Sequence, residues 1–217
     1  MRFSFWTLLH FSVNMYKPHF NFLPGTTQLR LQASSEAAAA AQQAREGGSR
    51  EKLGIGTPQK VEAAARGRVR ALGGDPTDRR CVLSQMEVQF GLYRGKTFWW
   101  LLTHDPRYTV GVLASHEAER EGGDSSSSPL MLHKDALLEY ARLFEEVTSA
   151  LADKRSRDTE SEGERLVGFG EYSSLTYKEL YKSSDPQTSS YRRWVRDAPV
   201  KNPGTLSAVP PQHILLQ

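Results

Sequence analysis

The sequence predicts an α+β protein: two small modules, each a β-hairpin followed by two helices, joined by an amphipathic helix behind a disordered N-terminal third. Three observations lead there. The stretch at 88–116, VQFGLYRGKTFWWLLTHDPRYTVGVLASH, carries turn, cap and apolar signals together. A weaker copy of its pattern returns at 167–194. From 33 to 74, ahead of the first copy, the chain runs through alanine, glycine and arginine with few large apolar residues.

The region 1–82 reads as low-complexity and mostly disordered, because its 33–74 stretch offers too little apolar surface to offset chain ordering. Its first fourteen residues, MRFSFWTLLHFSVN, place Arg2 before an apolar run, as a short signal peptide does. His10 interrupts the run, no small-x-small cleavage site follows, and the chain has no Asn-x-Ser/Thr sequon. An intracellular protein, nuclear or cytoplasmic, is the expectation, with secretion the lesser alternative and Met15 a candidate second start. The run is too short to span a bilayer, so no membrane partner is expected. Ala37 to Arg45 has helix-forming residues but no large apolar face, and helices this short are marginal alone. Arg66, Arg68, Arg70, Arg79 and Arg80 form a loose basic run, read as a solvated segment rather than a phosphate contact.

The first module is assigned to 83–121. Val88 and Phe90 alternate with Glu87 and Gln89, the period of a half-buried strand. Gly91 and Gly95 bracket a tight reversal. Thr97 is a good N-cap for a short apolar helix from Phe98 to Leu102. Asp105-Pro106 then restarts a helix, with Asp as cap and Pro at the first helical position. Tyr108, Val112 and Leu113 give that second helix a face.

The second module, at 166–198, follows the first in order. Phe169-Gly170-x-Tyr172 answers Phe90-Gly91-x-Tyr93, Thr176-Tyr177 answers Thr97-Phe98, and Asp185-Pro186 answers Asp105-Pro106. Leu180 answers Leu101 and Tyr191 answers Tyr108 after a few extra residues, so the chain carries an internal repeat. The basic turn Arg94-Gly95-Lys96 becomes Ser173-Ser174-Leu175, a degenerate form. A Gly/Ser linker occupies 122–129, and an amphipathic helix is assigned within 130–153, from about Lys134 to Ala152. Leu137, Tyr140, Phe144, Val147 and Leu151 make its apolar stripe. A charged linker at 154–165 and a proline-rich tail at 199–217 complete the chain.

Composition narrows the function. The net charge of +3 and a pI near 9.0 permit an acidic partner or nucleic acid without demanding either. The single cysteine, Cys81, excludes an intramolecular disulfide and a cysteine-based metal cluster. Gly91 to Thr97 tempts toward a phosphate loop, but three residues separate the glycines where that loop needs four. His116-Glu117-x-x-Arg120 misses the second histidine of a zinc-protease helix. Asp158 and Glu160 lie in charged sequence with no strand to fix them, and Gly168-Phe-Gly170 lacks the third glycine of a dinucleotide fingerprint. No enzyme, cofactor or metal site is expected.

Phe90-Gly91-x-Tyr93-x-Gly95-Lys96-Thr97-Phe98, a helix, Asp105-Pro106 and then Tyr108 resemble the small module at the C-terminal end of exodeoxyribonuclease X-like proteins. The pattern is also similar to uncharacterised vertebrate proteins, notably of fish, that duplicate this core. The resemblance covers 89–113 well and 169–194 loosely. In that nuclease family the catalytic carboxylates lie in a separate domain, and nothing here matches it. The resemblance therefore implies an accessory role, with nucleic-acid contact a candidate.

Two binding readings follow. One is a non-catalytic binding or scaffold protein, acting through protein interactions of the duplicated module, with a protein as the leading partner. The alternative is a nucleic-acid-binding accessory module. There the basic turn of Arg94 and Lys96 would meet phosphates while Tyr93, Trp99 and Trp100 stack on bases. Adjacent tryptophans on a short helix point about 100° apart, so one of the two is expected outside the core.

Overall fold

The computed structural model describes residues 16–46, 54–167 and 171–197. Nine helices form among them: α1 Ser35–Glu46, α2 Pro58–Ala71, α3 Arg79–Ser84, α4 Phe98–His104, α5 Pro106–Glu121, α6 Pro129–Ala141, α7 Glu145–Gly163, α8 Tyr177–Lys182 and α9 Pro186–Asp197. The described residues fall into two units. One takes the chain up to Glu117 together with Ser125–Ala152; the other takes Ala118–Asp124 and the chain from Asp153 onward.

The α+β expectation is overturned. Among the described residues there is no strand longer than an isolated bridge, and where hairpins were expected each copy has one antiparallel pair, Glu87 with Thr97 and Leu166 with Thr176. The neighbouring helices leave no room for a ladder. Gln85 ends α3 two residues before the first bridge, and Thr97 is both bridge partner and N-cap of α4. The turn is closed by Val88 N–H to the Lys96 carbonyl and Gly95 N–H to the Val88 carbonyl, each 2.8 Å.

The expectation of a disordered N-terminal third is corrected over much of its length, while residues 1–15 and 47–53 lie outside the described residues. The biased segment folds as α1 and α2. Ala37 and Ala41 are buried on α1, where small side chains let the helix approach closely without a large apolar face. On α2, Val61, Ala65 and Val69 recur every four residues and are all buried. Thr57 caps α2 and Pro58 opens it. Arg66, Arg68, Arg79 and Arg80 of this region are engaged rather than loose. Arg66 pairs with Glu62, Arg68 with Glu87 at 2.8 Å, and Arg79 with Glu62 and Glu139. The Arg80 guanidinium sits 4.7 Å above the Tyr16 ring.

The single amphipathic helix expected from about Lys134 to Ala152 is instead two, α6 and α7. Leu143 N–H and Phe144 N–H bond the carbonyls of Tyr140 and Ala141, a tight turn that breaks the helix. The stripe survives the break: Leu137, Tyr140, Phe144, Val147 and Leu151 are all buried. Residues 154–163, part of the linker expected at 154–165, continue α7, with Lys154 and Asp158 paired one turn apart.

In the first unit α3 packs against α2, α4 and α6, and α6 also meets α2 and α4. Leu83, Phe98, Leu101, Leu113, Leu137 and Tyr140 are fully enclosed there. The segment before α1 lies on this core: Tyr140 donates its hydroxyl to the Tyr16 carbonyl, and Trp99 Nε1 donates to the Lys17 carbonyl at 3.0 Å. The second unit has a smaller core of Val167, Tyr177 and Leu180, bordered by Tyr172, Tyr181 and Tyr191.

Candidate functional site

The turn at 88–97 needs glycine at two positions, Gly91 with φ 64° and Gly95 with φ 86°. It delivers Tyr93 inward, where its hydroxyl donates to Asp105 Oδ2 at 2.6 Å. Asp105 Oδ1 accepts the Tyr108 N–H at 2.9 Å, so one buried carboxylate caps α5 and anchors the turn. The Tyr93 and Tyr108 rings meet edge to face at 5.0 Å. Burial, then the Asp105 bond, pushes the Tyr93 phenol well above its ordinary value. Burial likewise raises Tyr108, partly offset by the Leu92 backbone.

The residues proposed from sequence as a nucleic-acid grip divide into different roles. Tyr93 and Trp100 are buried. Trp100 Nε1 donates to Glu36 Oε1 at 2.8 Å, and this bond is the main cause that holds the Glu36 carboxyl below its usual range. Lys96 Nζ lies 4.8 Å above the Trp100 ring, and the Arg94 guanidinium donates to the Gly54 carbonyl at 2.8 Å. Trp99 is half-buried, with His19 edge-on to its ring at 5.9 Å. Turn, α1 and α4 are thereby tied to one another by the groups expected to hold a ligand.

The histidines are structural too. His116 is fully buried, with Nε2 2.7 Å from Asp135 Oδ1. His133 packs edge-on to Phe90 and Phe98 at 5.9 and 5.1 Å and is 1% exposed. Among the described residues no group of three or more His, Cys, Asp or Glu side chains is placed to hold a metal ion. No helix there is long and apolar enough to cross a membrane.

What the first unit does present is an open groove of about 950 Å³ beside the Tyr93–Asp105–Tyr108 network. Ala38, Ala41 and Arg45, one face of α1, form one wall. The face of α5 carrying Arg107, Tyr108, Gly111, Val112 and Ser115 forms the other. Phe90 and Leu92 of the turn and Lys134 of α6 complete it. Of this lining only Tyr93 is among the binding residues expected from sequence, where Asp105, Tyr108 and Val112 were read as a cap and a helix face. The usable signal was the spacing of Ala38, Ala41 and Arg45, which puts two small residues and a cation on one helical face.

The second copy repeats the local bonding. Val167 N–H reaches the Leu175 carbonyl at 2.8 Å, and Tyr177 N–H reaches the Arg165 carbonyl at 2.9 Å, as Val88 and Phe98 do with Lys96 and Met86. Thr176 caps α8 in a capping box with Glu179. Asp185 Oδ2 accepts both the N–H and the hydroxyl of Thr188, each at 2.9 Å. Tyr172 and Tyr191 rings meet at 4.8 Å, and Trp194, 60% exposed, follows at 5.6 Å from Tyr191. Phe169 and Gly170, which carry the sequence match, lie outside the described residues.

Fold and site together define a helical protein with a groove formed beside a glycine turn. No protein-family model, curated protein or solved structure matches this chain.

Proposed function

We propose that the chain is a non-catalytic binding protein, acting inside the cell through protein interactions of its duplicated module. The groove beside the Tyr93–Asp105–Tyr108 network carries this reading, because its size is that of a site for a ligand or peptide anchor and two helices form its walls. The nucleic-acid alternative has less support. Tyr93 and Trp100, two of the three rings beside the basic turn, are buried, and Lys96 is drawn over Trp100. A single-strand grip needs open ring faces next to its cations.

The test is selection of a displayed random-peptide library on the full chain, followed by binding of enriched peptides in solution. Micromolar peptides that excess oligonucleotide does not displace are the expected result. An empty selection overturns the reading. So does tight oligonucleotide binding that weakens steeply with salt and is lost in Arg94→Ala/Lys96→Ala, which would establish the alternative.

A further inference from the structure

We infer that the groove between α1 and α5 takes an acidic peptide segment of a partner protein, seating an apolar side chain between the helices and meeting carboxylates with Arg45 and Arg107. This rests on the protein-interaction reading and gives it a chemistry. The walls at Ala38, Ala41 and Gly111 are small side chains or none, which leaves the depth a bulky apolar anchor requires. From Arg107 to Ser115 the α5 wall runs about 12 Å, the length of two helical turns and enough for a short segment. Two arginines, Arg45 and Arg107, line the groove against one carboxylate, Asp105. That carboxylate is buried and already accepts from Tyr93 and Tyr108, so it offers an incoming chain little repulsion. The charge of the groove is therefore complementary to glutamate and aspartate. An apolar anchor flanked by carboxylates is how a groove-binding segment presents itself.

Base stacking is the weaker fit. Tyr93 lies in contact with the Trp100 and Tyr108 rings, Phe90 stands edge-on to His133, and the Tyr108 hydroxyl is held against Gly91. These aromatics act as wall.

The probe is a fluorescein-labelled peptide of about a dozen residues, alternating glutamate pairs with leucine and phenylalanine, long enough to cover the two turns. It is titrated into the full chain by anisotropy. Micromolar binding is expected, weakened about tenfold or more by Arg45→Glu/Arg107→Glu as two attractive contacts become repulsive. Gly111→Leu should abolish it. A β-carbon at Gly111 meets nothing within 4 Å, so the new side chain enters the groove without disturbing the fold, and an unchanged melting temperature verifies this. No binding, equal binding of the lysine-for-glutamate peptide, or unaltered binding to Gly111→Leu overturns the inference. So does an oligo(dT) strand that binds and is blocked by Gly111→Leu, or a dimer that the same substitution dissociates. If displayed peptides bind but the acidic probe does not, only the acidic chemistry fails; if none binds, the interaction reading fails with it.

Discussion

A β-carbon added to Gly91 would stand 2.1 Å from the Tyr108 phenol oxygen. Gly91 also sits at φ 64°, where side chains other than glycine's are strained. The turn closes over α5 only because that position is bare. Gly91→Ala should therefore destabilise the first unit by about 2 kcal/mol or more, from backbone strain and the clash together. Tyr108→Phe removes the oxygen and leaves the ring carbon at 3.4 Å, an ordinary contact. Equilibrium urea unfolding of both single variants and the double should show the clash part of the loss recovered, with the backbone part remaining. Additive losses would disprove the contact.

His133 sets a pH dependence. Burial among Phe90 and Phe98 holds its imidazole down to about 4, below the ordinary 6.5, with the Glu87 backbone offsetting little. The unfolded chain accepts a proton that the folded core refuses. Its contribution is complete above pH 6.5 and is lost as pH falls toward 4, by about 3 kcal/mol in all. Several carboxylates with lowered values, Glu62 and Asp78 among them, also lose their contributions as pH falls, so the informative quantity is a difference. The stability of the wild type minus that of His133→Leu should slope across this window and lie flat above it. A flat difference throughout would show that His133 is not held neutral by the core.

How much of this was legible in the sequence depends on the range of the interaction. Caps were legible, because Thr97, Asp105 and Thr176 act on amides within three residues of themselves. The hairpin was misread because Val88 and Phe90 alternate like a strand, while the length of paired chain is set by where α3 and α4 begin and end. The alanine-rich α1 was misread because its stability comes from Ala37 and Ala41 docking, and from Trp100 bonding Glu36 across 64 positions. Tyr93, Lys96 and Trp100 were visible as a cluster. That their ring faces and charges turn on one another rather than outward is a tertiary fact. The groove cations came from three separate helices, so no local pattern could join Arg45, Arg107 and Lys134.

Cys81 should report the opening of the first core. It is 2% exposed on α3, and burial pushes its thiol up to about 11, so little thiolate is present or reachable near pH 8. Reaction with a chromogenic disulfide reagent should be negligible in buffer and complete in urea, with the rise following the fluorescence transition. Fast labelling of the native chain would mean that α3 opens independently of the core.

The two copies should also respond differently to loss of a tyrosine hydroxyl. In the first, Tyr93 is the donor to Asp105 Oδ2, and the carboxylate is 7% exposed. Tyr93→Phe leaves that oxygen buried without its donor, which costs about 1–3 kcal/mol. In the second, Thr188 fills Asp185 Oδ2 with both its N–H and its hydroxyl, so the corresponding change leaves the aspartate satisfied. Tyr172→Phe should then alter stability by no more than about 0.5 kcal/mol. Thr188→Val, which removes the hydroxyl at nearly constant shape, should be the substitution that weakens the second copy. Unfolding of the three variants, followed by tryptophan fluorescence and far-ultraviolet dichroism, separates the cases. Equal losses from Tyr93→Phe and Tyr172→Phe would mean that the second copy uses its tyrosine as the first does, and that the extra residues before Tyr191 changed only the length of the chain.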